Sequence, residues 1–301
     1  MTDYVIQTRA LTKRYGNKLA LNHLDLQIPR GRIHAIVGAN GAGKSTLFRV
    51  LLGFLPPSSG SSSLLGTDSQ ALTPQLRSRI GFVNEEHTLP GWMRVSDVVA
   101  MQRRHYPKWD ESIHRGVLDN YHVLPEQKVA QLSRGERAGL NLSLALAQGP
   151  ELLILDEPTL GLDVVAKRAF LDSLLHSNAS DECTIIYCSH QMEEIERVAD
   201  NLIILERGEL MNMSPPDDFR ERVRYWIADI PFKGPDPRTV PGLLEVSRID
   251  GLHHYVVIDQ DEGFADFLRS HGARSVQDMP VSLDRAVNGY LAKNHAAPAA
   301  A

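Results

Sequence analysis

The segment Gly38-Ala39-Asn40-Gly41-Ala42-Gly43-Lys44-Ser45-Thr46 constrains this chain more than any other stretch. A short apolar run, IHAIV, precedes it, and LFRVLLGFL follows with its leucines and phenylalanines at helical spacing. The order strand, glycine-rich loop, helix is the setting in which G-x-x-x-x-G-K-S reads as a phosphate loop, or P-loop. Its glycines let backbone N–H groups curl around phosphate oxygens, and the helix N-terminus adds positive potential. In such a loop Lys44 is expected to reach the β- and γ-phosphates of a nucleotide. The Ser45 hydroxyl is expected to ligate Mg2+.

A second motif answers the first. Leu152-Leu153-Ile154-Leu155-Asp156-Glu157 reads as a buried strand delivering two carboxylates at its C-terminal end, where open α/β sheets bind ligands. Alone, an acidic pair there serves as readily to cap a helix. Beside a phosphate loop it reads as a Walker B strand, Asp156 holding Mg2+ through water and Glu157 orienting or deprotonating an attacking water. Together the motifs predict a nucleoside triphosphatase.

The rest of the chain supplies a frame. Leu24, Leu26 and Ile28 alternate before the turn at Pro29-Arg30-Gly31, and TIIYCSH and NLIILERG are further apolar strands. Helical patterns fall between them at about 164–177 and 191–199, so a largely parallel sheet covered on both faces is expected. PPSSGSSS reads as a loop. Residues from about 90 to 132 read as mostly helical, broken at Pro107 and Pro125. Beyond about residue 224 the pattern changes. YWIADIPFKGPDPRTVPG cannot be one element, 243–258 read as a hairpin around Asp250-Gly251, and helices follow at about 263–270 and 283–291 before a frayed AAPAAA tail.

A length of 301 residues suits one large domain, or a core domain plus an appendage. With 32 Lys and Arg against 37 Asp and Glu, net −5, no general basic surface is available for nucleic acid. Cys183 and Cys188 are too few for a disulfide framework and read as core packing in a reduced setting. The first residues lack the apolar core of a signal peptide, and no apolar run approaches the ~18 residues of a span. A soluble intracellular protein is therefore expected.

At this point the chain resembles the ATP-binding cassette (ABC) ATPases over about residues 4–215. Leu132-Ser133-Arg134-Gly135-Glu136, ahead of the Walker B strand, stands where that family has its signature LSGGQ. Its serine and glycine amides at a helix N-terminus bind the γ-phosphate held by a partner subunit. On the residues alone, Ser133 and Glu136 also form a capping box, and both readings can hold. Tyr15 matches the aromatic residue that stacks on adenine, or is a surface strand tyrosine. Leu160-Gly161-Leu162-Asp163 resembles the D-loop, with Asp163 at the dimer seam. His190 falls in the place of the switch histidine that contacts the γ-phosphate.

The resemblance implies an α/β fold of the P-loop NTPase, ABC ATPase type. It has a mostly parallel sheet, an antiparallel N-terminal β-region and a helical subdomain at about 85–132. The cassette would span 1–224, with a small α+β C-terminal appendage at 225–301. It also implies ATP and Mg2+ as ligands, nucleotide held by Tyr15 and Gly38–Thr46, and metal held by Ser45, Glu85 and Asp156. Glu157 and His190 would be catalytic. A single cassette without spans implies a second ABC ATPase subunit, identical or not, and separate transmembrane permease subunits. The chain would sit in the cytoplasm against the inner face of the membrane, energising transport, more often export. Pro90-Gly91-Trp92-Met93 is either a permease contact or core packing.

Two departures stand out. Glu85 replaces the Q-loop glutamine, and a carboxylate accepts but cannot donate as an amide does. Arg134 replaces a signature glycine, where it either adds a cation near the phosphates or crowds them. They are the argument for an alternative: a regulatory or non-transport ABC protein that binds ATP and hydrolyses it poorly. DNA-repair and ribosome-acting relatives fit less well, lacking here a long coiled-coil insertion or a second cassette. His253-His254 alternates faces in a strand, which disfavours a metal site. Phe219–Arg224 reads as a solvated helix end.

Overall fold

The computed structural model describes residues 4–177 and 183–296; the AAPAAA tail past Ala296 lies outside them. Tyr4–Tyr15 (β1) and Lys18–Pro29 (β2) run antiparallel through the turn at Gly16-Asn17, with Tyr15 opposite Lys18. Ile33–Val37 (β3) enters the glycine-rich loop and Lys44–Leu51 (α1) leaves it. Next come Ser59–Leu64 (β4), Thr67–Asp68 (β5), Pro74–Arg77 (α2) and Ile80–Val83 (β6). The helical stretch holds Val95–His105 (α3) and Glu111–Leu118 (α4), and Arg134–Ala147 (α5) begins at the signature segment. Leu152–Asp156 (β7), Val164–Ser177 (α6), Thr184–Cys188 (β8), Met192–Val198 (α7), Asn201–Glu206 (β9) and Glu209–Ser214 (β10) follow.

Backbone contacts divide the chain into two units. The first runs to His190 and takes in Arg197–Met213; the second takes Gln191–Glu196 and the residues from Ser214 onward. Among the described residues the first unit contains a sheet in the order β2-β1-β4-β5 and another in the order β10-β9-β3-β8-β7-β6. The pairs β6–β7, β7–β8, β8–β3 and β3–β9 are parallel. On β7 the side chains alternate between two cores. Leu152 and Ile154 join Phe48, Leu26 and Ile186 on one face, while Leu153 and Leu155 join Leu140, Phe170 and Tyr187 on the other. A strand buried on both faces has no polar position to spare, which is why LLIL precedes the acidic pair.

The serine run expected to be a loop is instead strand from Ser59. β4 pairs antiparallel with β1, Ile6 opposite Leu64 and Arg9 opposite Ser61. Composition hides it because backbone bonds to β1 hold the strand, while only Ser62 and Leu64 turn into the protein.

In the second unit, Pro216–Glu221 (α8) precedes Val223–Asp229 (β11), Leu243–Ile249 (β12), Leu252–Ile258 (β13), Gly263–Ser270 (α9), Ser275–Met279 (β14) and Leu283–Ala296 (α10). Its sheet has the order β12-β13-β11-β14. The hairpin falls where Asp250-Gly251 put it. The segment Phe219–Arg224 corrects the expectation of a solvated helix end: the helix stops at Glu221, Phe219 is buried edge-on to Tyr290, and Val223 opens β11. His253 and His254 stack on opposite sides of β13, against Tyr255 and Tyr225. A groove of about 810 Å³ in this unit carries Arg224 and Asp278, already paired at 2.7 Å.

Candidate functional site

Where β3 meets α1, the first unit opens a cavity of about 510 Å³. Its floor is the loop itself. A β-carbon at Gly38 would stand 2.2 Å from the Leu205 carbonyl oxygen, and one at Gly43 2.5 Å from that of Ala20. Both glycines have the positive φ that L side chains rarely adopt, so backbone curvature dictates the residue type. Lys44 lies back over the loop, Nζ donating to the Gly38 carbonyl at 2.6 Å and to that of Ala39 at 3.4 Å.

Two strand ends face this cradle. Asp156 hydrogen-bonds Ser45 and Cys188; burial raises its pKa, opposed by those bonds and by the Lys44 charge. Parallel pairing sets Asp156 beside Cys188, whose burial pushes its thiol well above the usual range. Glu157 follows in a left-handed conformation, φ 51°, with its N–H donated to the Cys188 carbonyl at 3.0 Å. Its Oε2 is 2.8 Å from Nδ1 of His190, which follows β8. A non-glycine residue at positive φ costs about 1–2 kcal/mol. Here the surroundings hold it there and aim the carboxylate toward the cradle.

The cavity brings together Tyr15, Asn40, Gly41, Ala42, Gly43, Lys44, Ser45, Thr46, Glu85, Asp156 and Glu157. Gly38 and Ala39 reach it through Lys44, and His190 through Glu157. Ser133, Arg134, Gly135, Glu136 and Asp163 do not line it. Ser133 caps α5: its hydroxyl accepts from the Glu136 N–H and its own N–H donates to the Glu136 carboxylate at 2.7 Å. Asp163 likewise accepts from the Ala166 N–H at the start of α6. The Arg134 guanidinium packs against the α-carbon of Gly161. Trp92 is 80% exposed while Met93 packs inward, so the PGWM loop divides between surface and core.

Sequence reasoning missed Lys18 and Ala20, which line the cavity beside Tyr15. The tight Tyr15–Lys18 turn was the available signal. It also missed His87, fully buried after β6, with Nε2 2.8 Å from the Pro158 carbonyl oxygen. Burial above all, with the Arg134 and Arg137 charges, lowers its pKa to about 4 against the pull of that hydrogen bond.

A chain that folds this way around such a loop is a nucleotide-binding protein of the P-loop class. The family model described as "ABC transporter" matches residues 21–160. A Nod factor export ATP-binding protein I from Cupriavidus pinatubonensis is 35% identical over 71% of this chain and 67% of its own length. The bacitracin transport ATP-binding protein BcrA of Bacillus licheniformis is 33% identical over 74% of each. Among solved structures, cbiO1 from Clostridium perfringens, described as part of the ABC transporter complex cbiONQ, superposes with a TM-score of 0.61. It is 27% identical and covers 72% of this chain and 90% of its own. This chain belongs to the ABC transporter family, as an ATP-binding subunit.

Proposed function

We propose that the subunit hydrolyses ATP, with Glu157 as the base, and that closure of a two-cassette dimer on ATP energises transport through separate permease subunits. The observation that carries this reading is the 2.8 Å contact between Glu157 and His190 at the mouth of the phosphate cradle. Loop N–H groups and Lys44 would hold the phosphates, and Tyr15 the base ring. Ser45 and Asp156, joined by a hydrogen bond, with Glu85 on the same cavity, make an oxygen donor set suited to Mg2+. Bound there, the ion would neutralise charge on the phosphate oxygens. Glu157 accepts the proton of the attacking water, and His190 holds that carboxylate in place.

The Ser133 to Glu136 segment and Asp163 lie away from the cavity, which supports a role on the nucleotide of another cassette. No helix among the described residues is long and apolar enough to cross a membrane, and the relatives are named for export and transport. Both support a place on the inner membrane face beside a permease that moves its substrate outward.

Glu157→Gln tests the reading. The side chains are nearly the same size, so ATP affinity should persist while turnover falls by about 10²–10⁴-fold, the usual contribution of a positioned base. ATP should then hold the dimer, seen as an ATP-dependent shift to larger size on gel filtration. Turnover within threefold of the parent would remove Glu157 as the base. A parent that binds ATP but shows no turnover above background would instead make the chain an ATP-binding module.

A further inference from the structure

His87 lies two residues beyond Glu85, in a left-handed backbone conformation with φ 47°. Its imidazole is 1% exposed and makes one polar contact, Nε2 to the Pro158 carbonyl oxygen at 2.8 Å. A carbonyl only accepts, so the ring proton resides on Nε2. Nδ1 is buried without a hydrogen-bond partner. Leaving such an atom unpaired is costly, and a leucine of similar volume would fill the space without that cost. The donor at Nε2 is what the histidine adds, and it is spent on the residue next to Glu157.

That turn is held at several points, among them the Thr159 hydroxyl, 3.4 Å from the Tyr187 hydroxyl, and the Leu162 N–H, which donates to the Thr159 carbonyl at 3.1 Å. Glu157 takes a strained φ; its N–H donates to the Cys188 carbonyl at 3.0 Å and its own carbonyl accepts from the Leu160 N–H at 3.2 Å. Pro158 has no N–H to offer, so its carbonyl is the remaining handle at that position. His87 grips this handle from the segment that also carries Glu85 into the cavity.

We propose that His87 is a positioning residue for hydrolysis: by holding the Pro158 carbonyl it aims Glu157, and it couples that turn to the segment bearing Glu85. The inference rests on the reading of Glu157 as the base. Small misplacements of a reacting group are expensive, so a tenfold to hundredfold loss in kcat is expected on removing the donor, with ATP affinity kept.

The test compares His87→Leu, which fills the space without a donor, with His87→Gln, whose amide nitrogen reaches about as far as Nε2. Both carry the same cost at positive φ, so their difference isolates the hydrogen bond. In the full chain, His87→Leu should lower kcat at least tenfold with the Kd for ATP within about twofold, and His87→Gln should recover most of the rate. In a Glu157→Gln background, His87→Leu should leave the residual rate unchanged, because both act through one carboxylate. A folded His87→Leu variant with kcat within twofold of the parent overturns the proposal. So does an equal loss in both variants accompanied by weaker ATP binding, or an undiminished effect in the Glu157→Gln background. Parent-like turnover in Glu157→Gln alone overturns the reading of the base, and this inference with it.

Discussion

A β-carbon placed on Gly161 would stand 2.7 Å from Nη1 of Arg134. The arginine that departs from the signature pattern is therefore accommodated within its own subunit, its guanidinium flat against a residue that has no side chain. Gly161 also has φ 73°, so two independent constraints select glycine there.

Gly161→Ala should cost about 1–2 kcal/mol from backbone strain alone, and more where the guanidinium cannot move aside. Adding Arg134→Gly should recover the steric part and leave the strain. Denaturant unfolding of the two single variants and the double variant reads this directly. Strict additivity would mean that the two residues do not touch.

Lys44→Ala should abolish tight nucleotide binding while leaving the fold intact. A charged hydrogen-bond donor to phosphate contributes about 1.5–3 kcal/mol, a tenfold to hundredfold loss in affinity. What the fold loses is a partly exposed bond to the Gly38 carbonyl. Calorimetric titration with ATP and a thermal melt check both halves. Parent-like affinity would sink the assignment of the loop.

Glu151 offers a pH handle far from the chemistry. Arg79 first, then Arg30, hold its carboxyl down to about 2, through contacts of 2.6 and 3.1 Å. A carboxylate with a depressed folded pKa stabilises above its unfolded value near 4.5. That contribution fades as pH falls toward the folded value. Glu151→Gln should thus be less stable than the parent at pH 7 by about 1 kcal/mol, since solvent screens half-exposed arginines. The gap should narrow below about pH 4.5 and close near pH 2. A gap independent of pH would show that packing, not charge, is lost.

The parts of the site that could be read from sequence are those whose chemistry demands particular residues side by side. The phosphate loop, the Asp156-Glu157 pair and the Ser133–Glu136 cap each sit within a few positions, so spacing alone exposed them. Contacts between distant segments left no such trace. His87 and Pro158 are 71 positions apart, and nothing near either residue announces the other. The same holds for Arg134 and Gly161. Among the strands not anticipated, β4 and β14 are largely exposed, with side chains turned inward at only a few positions. They are held by backbone pairing to β1 and β11, which side-chain alternation cannot report.

The cap on α5 has a consequence for which residues position 133 can accept. A hydroxyl both accepts and donates, and the helix uses the Ser133 hydroxyl as an acceptor for the Glu136 N–H. Aspartate would satisfy that backbone group as well or better, and its charge suits a helix start. Toward an arriving anion, however, it would present repulsion where serine presents a proton. Helix stability alone would tolerate either residue, whereas the role proposed for Ser133, on the nucleotide of another cassette, tolerates one. On the proposed role, Ser133→Asp is a separation-of-function change, keeping the helix and closing the door to the ligand.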